Sequence, residues 1–244
     1  LSNKVPTKMM LKEVDIDVWV AEQPFRYLGL GVGNRMTVIR LANRELAVIS
    51  PIQSSDRLVS QLEELGVVKY IIAPNLYHYL FAANFKSIYP QATFWAAPGL
   101  TIKKPDLPID QTIKGNKGEL LPGLDFILFD GLRVLSLTGI DSLNECVFFH
   151  SDSRTLILTD TAFNFDESFP ILTRFSARVL GGYKQLSLSI LERLATTEKE
   201  RVRKSFEQVM LWDFERVIMA HGSIIERNGK EQFKKGYESF LNLS

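Results

Sequence analysis

One cysteine, Cys146, stands in a chain of 244 residues. An internal disulfide is therefore excluded, and so is any zinc site built mainly from thiolates. Cys146 lies in the apolar run Cys146-Val147-Phe148-Phe149, which predicts a buried structural thiol and not a nucleophile. No apolar run approaches the ~18 residues that a membrane-spanning helix needs. Neither sign of charge dominates: 29 Lys and Arg stand against 28 Asp and Glu, a net charge of +1. That balance gives no footprint for nucleic acid or an acidic membrane, and neither partner is expected. Leu1 to Met10 is polar and basic with no apolar stretch behind it, so no signal peptide is expected and the cytoplasm is the expected compartment. Histidine is scarce as well. There are three, His78, His150 and His221, so imidazole chemistry must draw on that small set.

What remains is a globular composition, 45% hydrophobic and 23% charged, long enough for one α/β domain over residues 1–244. No Pro/Ser/Gly-rich linker and no short repeat divides it. The first third is strand-rich. Val14, Ile16, Val18 and Val20 alternate with unlike residues, Phe25 to Leu30 and Met36 to Leu41 flank the turn Gly31 to Asn34, and Leu46 to Ile49 is a short apolar strand. Ser54 or Ser55 can cap a helix with the stripe Leu58, Val59, Leu62 and Leu65, closed by Gly66. The strand Val67 to Ile72 completes a β-α-β unit. Tyr77 to Tyr89 reads as a helix stopped by Pro90, Thr93 to Ala97 as a strand, and residues 98–123 as loop.

Four strands follow, Phe126 to Phe129, Arg133 to Leu137, Glu145 to Phe149 and Thr155 to Leu158. Turns at Asp130-Gly131 and Ser151-Asp152-Ser153 predict that they pair as hairpins. The last third is helical. Leu172, Phe175 and Val179 share one helix face ended by Gly181-Gly182, and Thr197-x-x-Glu200 is a capping box for a helix bearing Val202, Phe206, Val209 and Met210. Asn228-x-x-Glu231 starts a final helix with Phe233, Tyr237, Phe240 and Leu241 aligned. Between these two helices, Val217 to Ala220 is a strand.

Three of the apolar strands run straight into a residue with chemistry. Val67 to Ile72 leads to His78, Thr155 to Leu158 leads to Asp160, and Val217 to Ala220 leads to His221. Strand ends gather at sheet edges, so an Asp and two His placed there can converge as metal ligands or as an acid/base pair. The three side chains are expected at one edge, within ~5–7 Å of one another.

The order of elements resembles the metallo-β-lactamase superfamily over nearly the whole chain. That resemblance implies a four-layer αββα sandwich. Asn34-Arg35-Met36-Thr37-Val38-Ile39 is similar to the family's early hairpin, and Leu46-Ala47-Val48-Ile49-Ser50-Pro51 to the strand after it, with Ser50 where an acid is usual. The family's Thr-His-x-His-x-Asp-His stretch resembles Ala73-Pro74-Asn75-Leu76-Tyr77-His78-Tyr79. Pro74 and Leu76 fill two histidine positions, and His78 corresponds to the family's aspartate or, with a one-residue shift, to its last histidine. Ile140 sits where another histidine ligand would be. Asp160 matches the bridging aspartate, and His221-Gly222 matches the last histidine. The chain looks like a branch in which Pro-Asn-x-x-His, Thr-Asp and His-Gly recur while the binuclear motif is lost.

A binuclear zinc centre needs more ligands than these positions supply. The resemblance therefore implies a hydrolase of reduced site, with at most one divalent ion (zinc, iron or manganese) on His78, Asp160 and His221. Two imidazoles and a carboxylate leave open positions for water. Asp160 and His221 are the candidate catalytic residues, and the substrate is expected to be an ester, thioester or phosphoester. The alternative, in which no metal binds, is a buried hydrogen-bonded cluster on a non-catalytic ligand-binding or interaction protein. A metal-free Asp160–His221 pair would need a nucleophile, for which Ser142, Thr138 and Tyr77 are candidates by loop position alone. His150, beside Ser151-Asp152-Ser153, is expected to be a solvated turn residue. Gly29-x-Gly31-x-Gly33 has the wrong spacing for a dinucleotide loop and reads as a hairpin turn. Lys199 to Lys204 mixes both charges and reads as a solvated helix face.

Overall fold

Alternation along the strands decides the architecture. In the strand Glu45–Ile49, Leu46 and Val48 join one hydrophobic cluster while Ala47 and Ile49 join another. In Glu145–His150, Cys146 and Phe148 share that second cluster, while Val147 and Phe149 enter a third. Two sheets each buried on both faces must stack on each other and carry helices outside.

The computed structural model describes residues 10–136 and 139–243 and shows that arrangement. The chain opens with β1 (Lys12–Asp15) and β2 (Val18–Gln23), then a small separate hairpin of β3 (Arg26–Tyr27) and β4 (Leu30–Gly31). It continues through β5 (Asn34–Arg40), β6 (Glu45–Ile49), α1 (Asp56–Leu65), β7 (Val67–Ala73), α2 (Ala82–Ile88), β8 (Thr93–Ala96), α3 (Leu100–Lys103) and β9 (Gln111–Thr112). The first sheet has seven strands in the order β1-β2-β5-β6-β7-β8-β9, parallel from β6 onward. Next come β10 (Lys117–Leu121), β11 (Leu124–Phe129), the separate hairpin β12 (Arg133–Ser136) and β13 (Gly139–Ser142), β14 (Glu145–His150) and β15 (Thr155–Ile157). Helices α4 (Ile171–Leu180), α5 (Ile190–Ala195) and α6 (Lys199–Val209), strand β16 (Arg216–Ile218) and helix α7 (Gly229–Leu241) complete the chain. The second sheet orders its five strands β10-β11-β14-β15-β16, the last pair parallel.

The layers follow from the clusters. Leu58, Leu62 and Phe85 of α1 and α2 pack on the outer face of the first sheet. Val18, Ile39, Ile49 and Ile72 meet Leu124, Phe126, Phe148 and Ile218 between the sheets. Val202 and Phe206 of α6 and Phe233 and Tyr237 of α7 cover the second sheet. This is the expected αββα sandwich. Each such aromatic buried contributes roughly 1.5–3 kcal/mol, so the two outer layers are held mainly by apolar burial. Cys146 is buried between the sheets, as its apolar run predicted.

Several local expectations are corrected. The alternation from Val14 to Val20 is not one strand, because Asp17 takes a left-handed φ of 59° and turns β1 back on β2. Phe25 to Leu30 likewise folds into the β3–β4 hairpin about Leu28 and Gly29. The helix expected from Tyr77 begins only at Ala82, since the Asn75 side chain draws the preceding residues into a turn. Residues 98–123 contain α3, β9 and β10. The Asp130-Gly131 turn does not make a hairpin of its flanking strands: β11 pairs with β10 and β14, and β12 pairs with β13. Leu137, assigned to that strand, lies outside the described residues. The capping box at Thr197 is absent, and Glu198 is the N-cap with no side-chain bond. His150 is no turn residue. It ends β14, 4% exposed, with Nδ1 2.7 Å from the Ser153 hydroxyl.

Candidate metal centre

Each of the three strand-end residues is placed by a separate device. After β7 the carbonyl of Pro74 accepts from the Cys146 amide at 2.7 Å, tying this loop to the second sheet. Asn75, fully buried, then turns the chain: its Oδ1 accepts the amides of Tyr77 and His78, each at 2.8 Å. His78 consequently points back to the sheet edge, with Nδ1 2.7 Å from the hydroxyl of Ser50 at the end of β6. Ser50 therefore contacts a site residue directly.

Asp160 follows β15 in a turn organised by Glu145, which is 0% exposed at the head of β14. One oxygen of Glu145 accepts the Thr159 amide at 2.8 Å and the Thr161 hydroxyl. The other accepts the Asp160 amide at 2.7 Å and Asn75 Nδ2 at 3.2 Å. Asn75 Nδ2 also reaches Asp160 Oδ2 at 2.8 Å, so one amide joins two loops. Tyr237 of α7 donates to the Thr161 carbonyl at 2.6 Å, fixing the same turn from the helix side.

His221 is positioned by the first sheet. Arg35 on β5, 7% exposed and paired with Glu22, donates to the carbonyls of Met219 and Gly222, which bracket His221. Gly222 has a φ of +103°, and a Cβ there would lie 2.3 Å from the Asn164 carbonyl oxygen. Only glycine fits, which accounts for the His-Gly pair. Phe25 and Phe163 stack on the imidazole at ring distances of 5.8 and 6.5 Å.

The three side chains meet at one edge, as expected, with one ligand atom from each lying within 4.8 Å of the others. His78 Nε2 is 3.2 Å and His221 Nε2 3.5 Å from the two Asp160 oxygens, and the side chains are 8–15% exposed, so the edge is reachable from solvent. Among the described residues this is the one such gathering of three or more His, Cys, Asp or Glu. The Gly33 carbonyl stands 2.5 Å from His221 Nδ1, and a carbonyl can only accept. Nδ1 therefore carries the proton, and in the neutral ring the Nε2 lone pair faces the Asp160 carboxylate. Two acceptors then face each other, an arrangement that either a proton or a metal ion between them satisfies. A backbone carbonyl holding the outer nitrogen is also the usual way a protein fixes an imidazole for metal.

Burial opposes a charged Asp160, yet the charge and hydrogen bond of His78, with His221 and Asn75, hold its carboxyl well below the usual range. Burial likewise opposes protonation of His78, but the charge and hydrogen bond of Asp160 raise it above its ordinary value. His221 is pushed down to about 4 by burial, against the pull of Asp160. Burial, then the nearby Asp160, raises Glu145 against the donors that favour its ionised form.

The remaining candidates lie elsewhere. Tyr77 gives its hydroxyl to Asp141 at 3.2 Å, and burial, then Asp141, raises its phenol far above the usual value. Ser142 sits on β13 opposite Arg133, and Thr138 lies outside the described residues. Leu76 is buried under the helices and Ile140 is 54% exposed on β13, so neither offers a ligand. Glu145, Thr159 and Thr161 escaped the sequence reading. A carboxylate leading an apolar strand was the available signal.

Fold and site outline together define a chain of the metallo-β-lactamase fold. Similar solved structures include the DIM-1 metallo-β-lactamase (TM-score 0.67, 13% identity, 95% of this chain and 98% of that one). Another is the FIM-1 enzyme of Pseudomonas aeruginosa in its mono-zinc form (TM-score 0.63, 9% identity, 97% and 98%). A third is the metal-soaked Flv1 flavodiiron core of Synechocystis (TM-score 0.61, 16% identity, 96% and 60%). At these identities the likeness shows the fold alone. The chain belongs to the family described as a domain of unknown function, DUF4336, whose model matches residues 16–182. That match takes in His78 and Asp160, and His221 lies beyond it. No curated protein matches the sequence.

Proposed function

We propose that this chain is a metal-dependent hydrolase that holds one divalent ion on His78, Asp160 and His221. The observation that carries the reading is the inward-facing Nε2 of His221, locked by the Gly33 carbonyl, opposite an anionic carboxylate. The donor set fits: two imidazole nitrogens and one carboxylate oxygen suit zinc, iron or manganese and leave positions open. Bound there, a divalent ion supplies Lewis acidity toward an acyl or phosphoryl oxygen and acidifies water. The chain's own part is placement. Asn75 and Glu145 hold Asp160, Ser50 orients His78, and Phe25 and Phe163 shield the His221 ring. Esters, thioesters and phosphoesters are the matching substrates.

A second reading has its own observation. Asp160 Oδ2 already accepts from Asn75 and faces His78 at 3.2 Å, so a proton alone could join the cluster in a non-catalytic binding protein. Metal analysis of protein purified without chelating resin, with thermal unfolding of wild type and Asp160→Ala, separates the two. The hydrolase reading expects one equivalent of metal and a chelator-sensitive wild type, with metal at 100 times its Kd adding about 2.7 kcal/mol. Asp160→Ala should lose both. Wild-type melting indifferent to chelator and to added zinc, iron or manganese, with Asp160→Ala about 1–3 kcal/mol less stable, would refute it in favour of the structural cluster.

A further inference from the structure

Helix α4 is built inside out. Its inward residues are Thr173 and Ala177, both buried, while Ile171, Leu172, Phe175 and Val179 are 57–76% exposed. The sequence periodicity predicts a helix there, but the apolar stripe that would ordinarily face a core faces outward. Thr173 gives its hydroxyl to the Gly31 carbonyl at 3.0 Å, which seats α4 on the β3–β4 hairpin. That hairpin adds exposed Tyr27 and Leu28, and Tyr27 donates to the Leu135 carbonyl on β12 at 3.2 Å. The chain flanking the hairpin also carries Phe25 and Gly33, which contact His221, so the apolar face adjoins the metal-site edge. An exposed apolar face of this kind marks an interaction surface.

Charge indicates what covers it. Helix α4 carries Arg174 and Arg178 and no acid, and Arg26 stands exposed on the hairpin. Nearby carboxylates are engaged: Glu167 pairs with Lys184, Asp166 accepts from the hydroxyls of Ser168 and Ser223, and Glu192, whose charge reaches Tyr27, accepts from the Ser189 hydroxyl. A second copy docking through this face would lay one basic patch on another. The near-neutral whole chain conceals this local segregation. We propose that α4 and the β3–β4 hairpin seat this face on an anionic lipid surface. Leu28, Leu172 and Phe175 would enter the acyl boundary, and Arg26 and Arg178 would meet the phosphates, as in an interfacial amphipathic helix. The inference does not depend on metal.

The test is flotation with vesicles of phosphatidylcholine alone and of phosphatidylcholine with an equal part of phosphatidylglycerol. Wild type should bind the anionic vesicles. Arg26→Ala/Arg178→Ala should weaken partitioning about thirtyfold, with each cation near the surface worth roughly fivefold. Leu172→Ser/Phe175→Ser should lose tenfold or more, on the order expected for withdrawn apolar groups. Near-UV circular dichroism should be unchanged, because these side chains are exposed. Two results would overturn the proposal: wild type that ignores anionic vesicles, or variants that bind them as wild type does. Sedimentation velocity without lipid supplies a third, a dimer abolished by Leu172→Ser/Phe175→Ser, which would give the face to a second copy.

Discussion

Replacing Glu145 by Gln changes the charge at the centre of the site's support while keeping its volume. Four donors converge on the carboxylate: the Thr159 amide and Thr161 hydroxyl on one oxygen, the Asp160 amide and Asn75 Nδ2 on the other. A Gln amide presents one acceptor and one NH2 group, so one pair must face donors. Asn75 cannot rotate to help, since its own oxygen holds the Tyr77 and His78 amides. The better orientation turns the NH2 group to Thr161, whose hydroxyl can rotate and accept. One buried amide, that of Thr159, is then orphaned. A single orphaned buried donor costs ~1–3 kcal/mol, and that is the loss expected for Glu145→Gln. Glu145→Ala orphans the Thr159 and Asp160 amides and leaves a cavity, while Asn75 Nδ2 keeps Asp160 Oδ2 and Thr159 Oγ1, so roughly 3–5 kcal/mol is expected. Urea unfolding followed by far-UV circular dichroism gives both values by linear extrapolation. A loss below ~0.5 kcal/mol for Gln, or an Ala variant no worse than Gln, would refute the reasoning, because one orphaned amide must cost less than two and a cavity.

Two further outcomes are expected. Burial lowers the His150 pKa against the attraction of Asp152, Asp17 and Asp15, so the unfolded chain takes up this proton first as pH falls. The stability from keeping His150 neutral is complete above about pH 6.5 and is lost as pH falls through the unfolded pKa toward the folded one, at up to about 1.4 kcal/mol per pH unit. Parallel pH–stability curves for wild type and His150→Gln between pH 7 and 4 would contradict it, since the variant should lack that slope. Gly222→Ala forces a Cβ to 2.3 Å from the Asn164 oxygen at a φ of +103°. It should cost roughly 3 kcal/mol and displace His221, and an unchanged melting temperature would show that the turn yields.

The fold was legible wherever burial on both faces left an unbroken apolar signal. Strands β6, β7 and β14 read correctly because each must satisfy two layers. Breaks arose where one residue overrode periodicity, as Asp17 does in splitting β1 from β2. The strand-end positions of His78, Asp160 and His221 were visible because their chemistry follows directly on apolar runs. Glu145 was missed: the sequence shows only a carboxylate leading an apolar strand, and its meaning comes from the turn after β15. His150 was misread because the polar run Ser151-Asp152-Ser153 beside it suggested solvent, whereas it closes β14 against Thr155. For α4, periodicity gave the helix but not the direction of its stripe, which depends on the hairpin docked beneath it.

The carbonyl that fixes His221 belongs to Gly33, 188 positions earlier, and the strand delivering His221 lies parallel beside β15. Contacts of such sequence separation form late, after local strands and helices have paid their entropy. On the ribosome, the first sheet can fold and His78 and Asp160 can emerge while the final strand is still unsynthesised. The cluster closes only when β16 has emerged and docked beside β15. Its timing is thus written into the topology: a nascent chain stays chemically unfinished until β16 has joined the second sheet and brought His221 to Gly33.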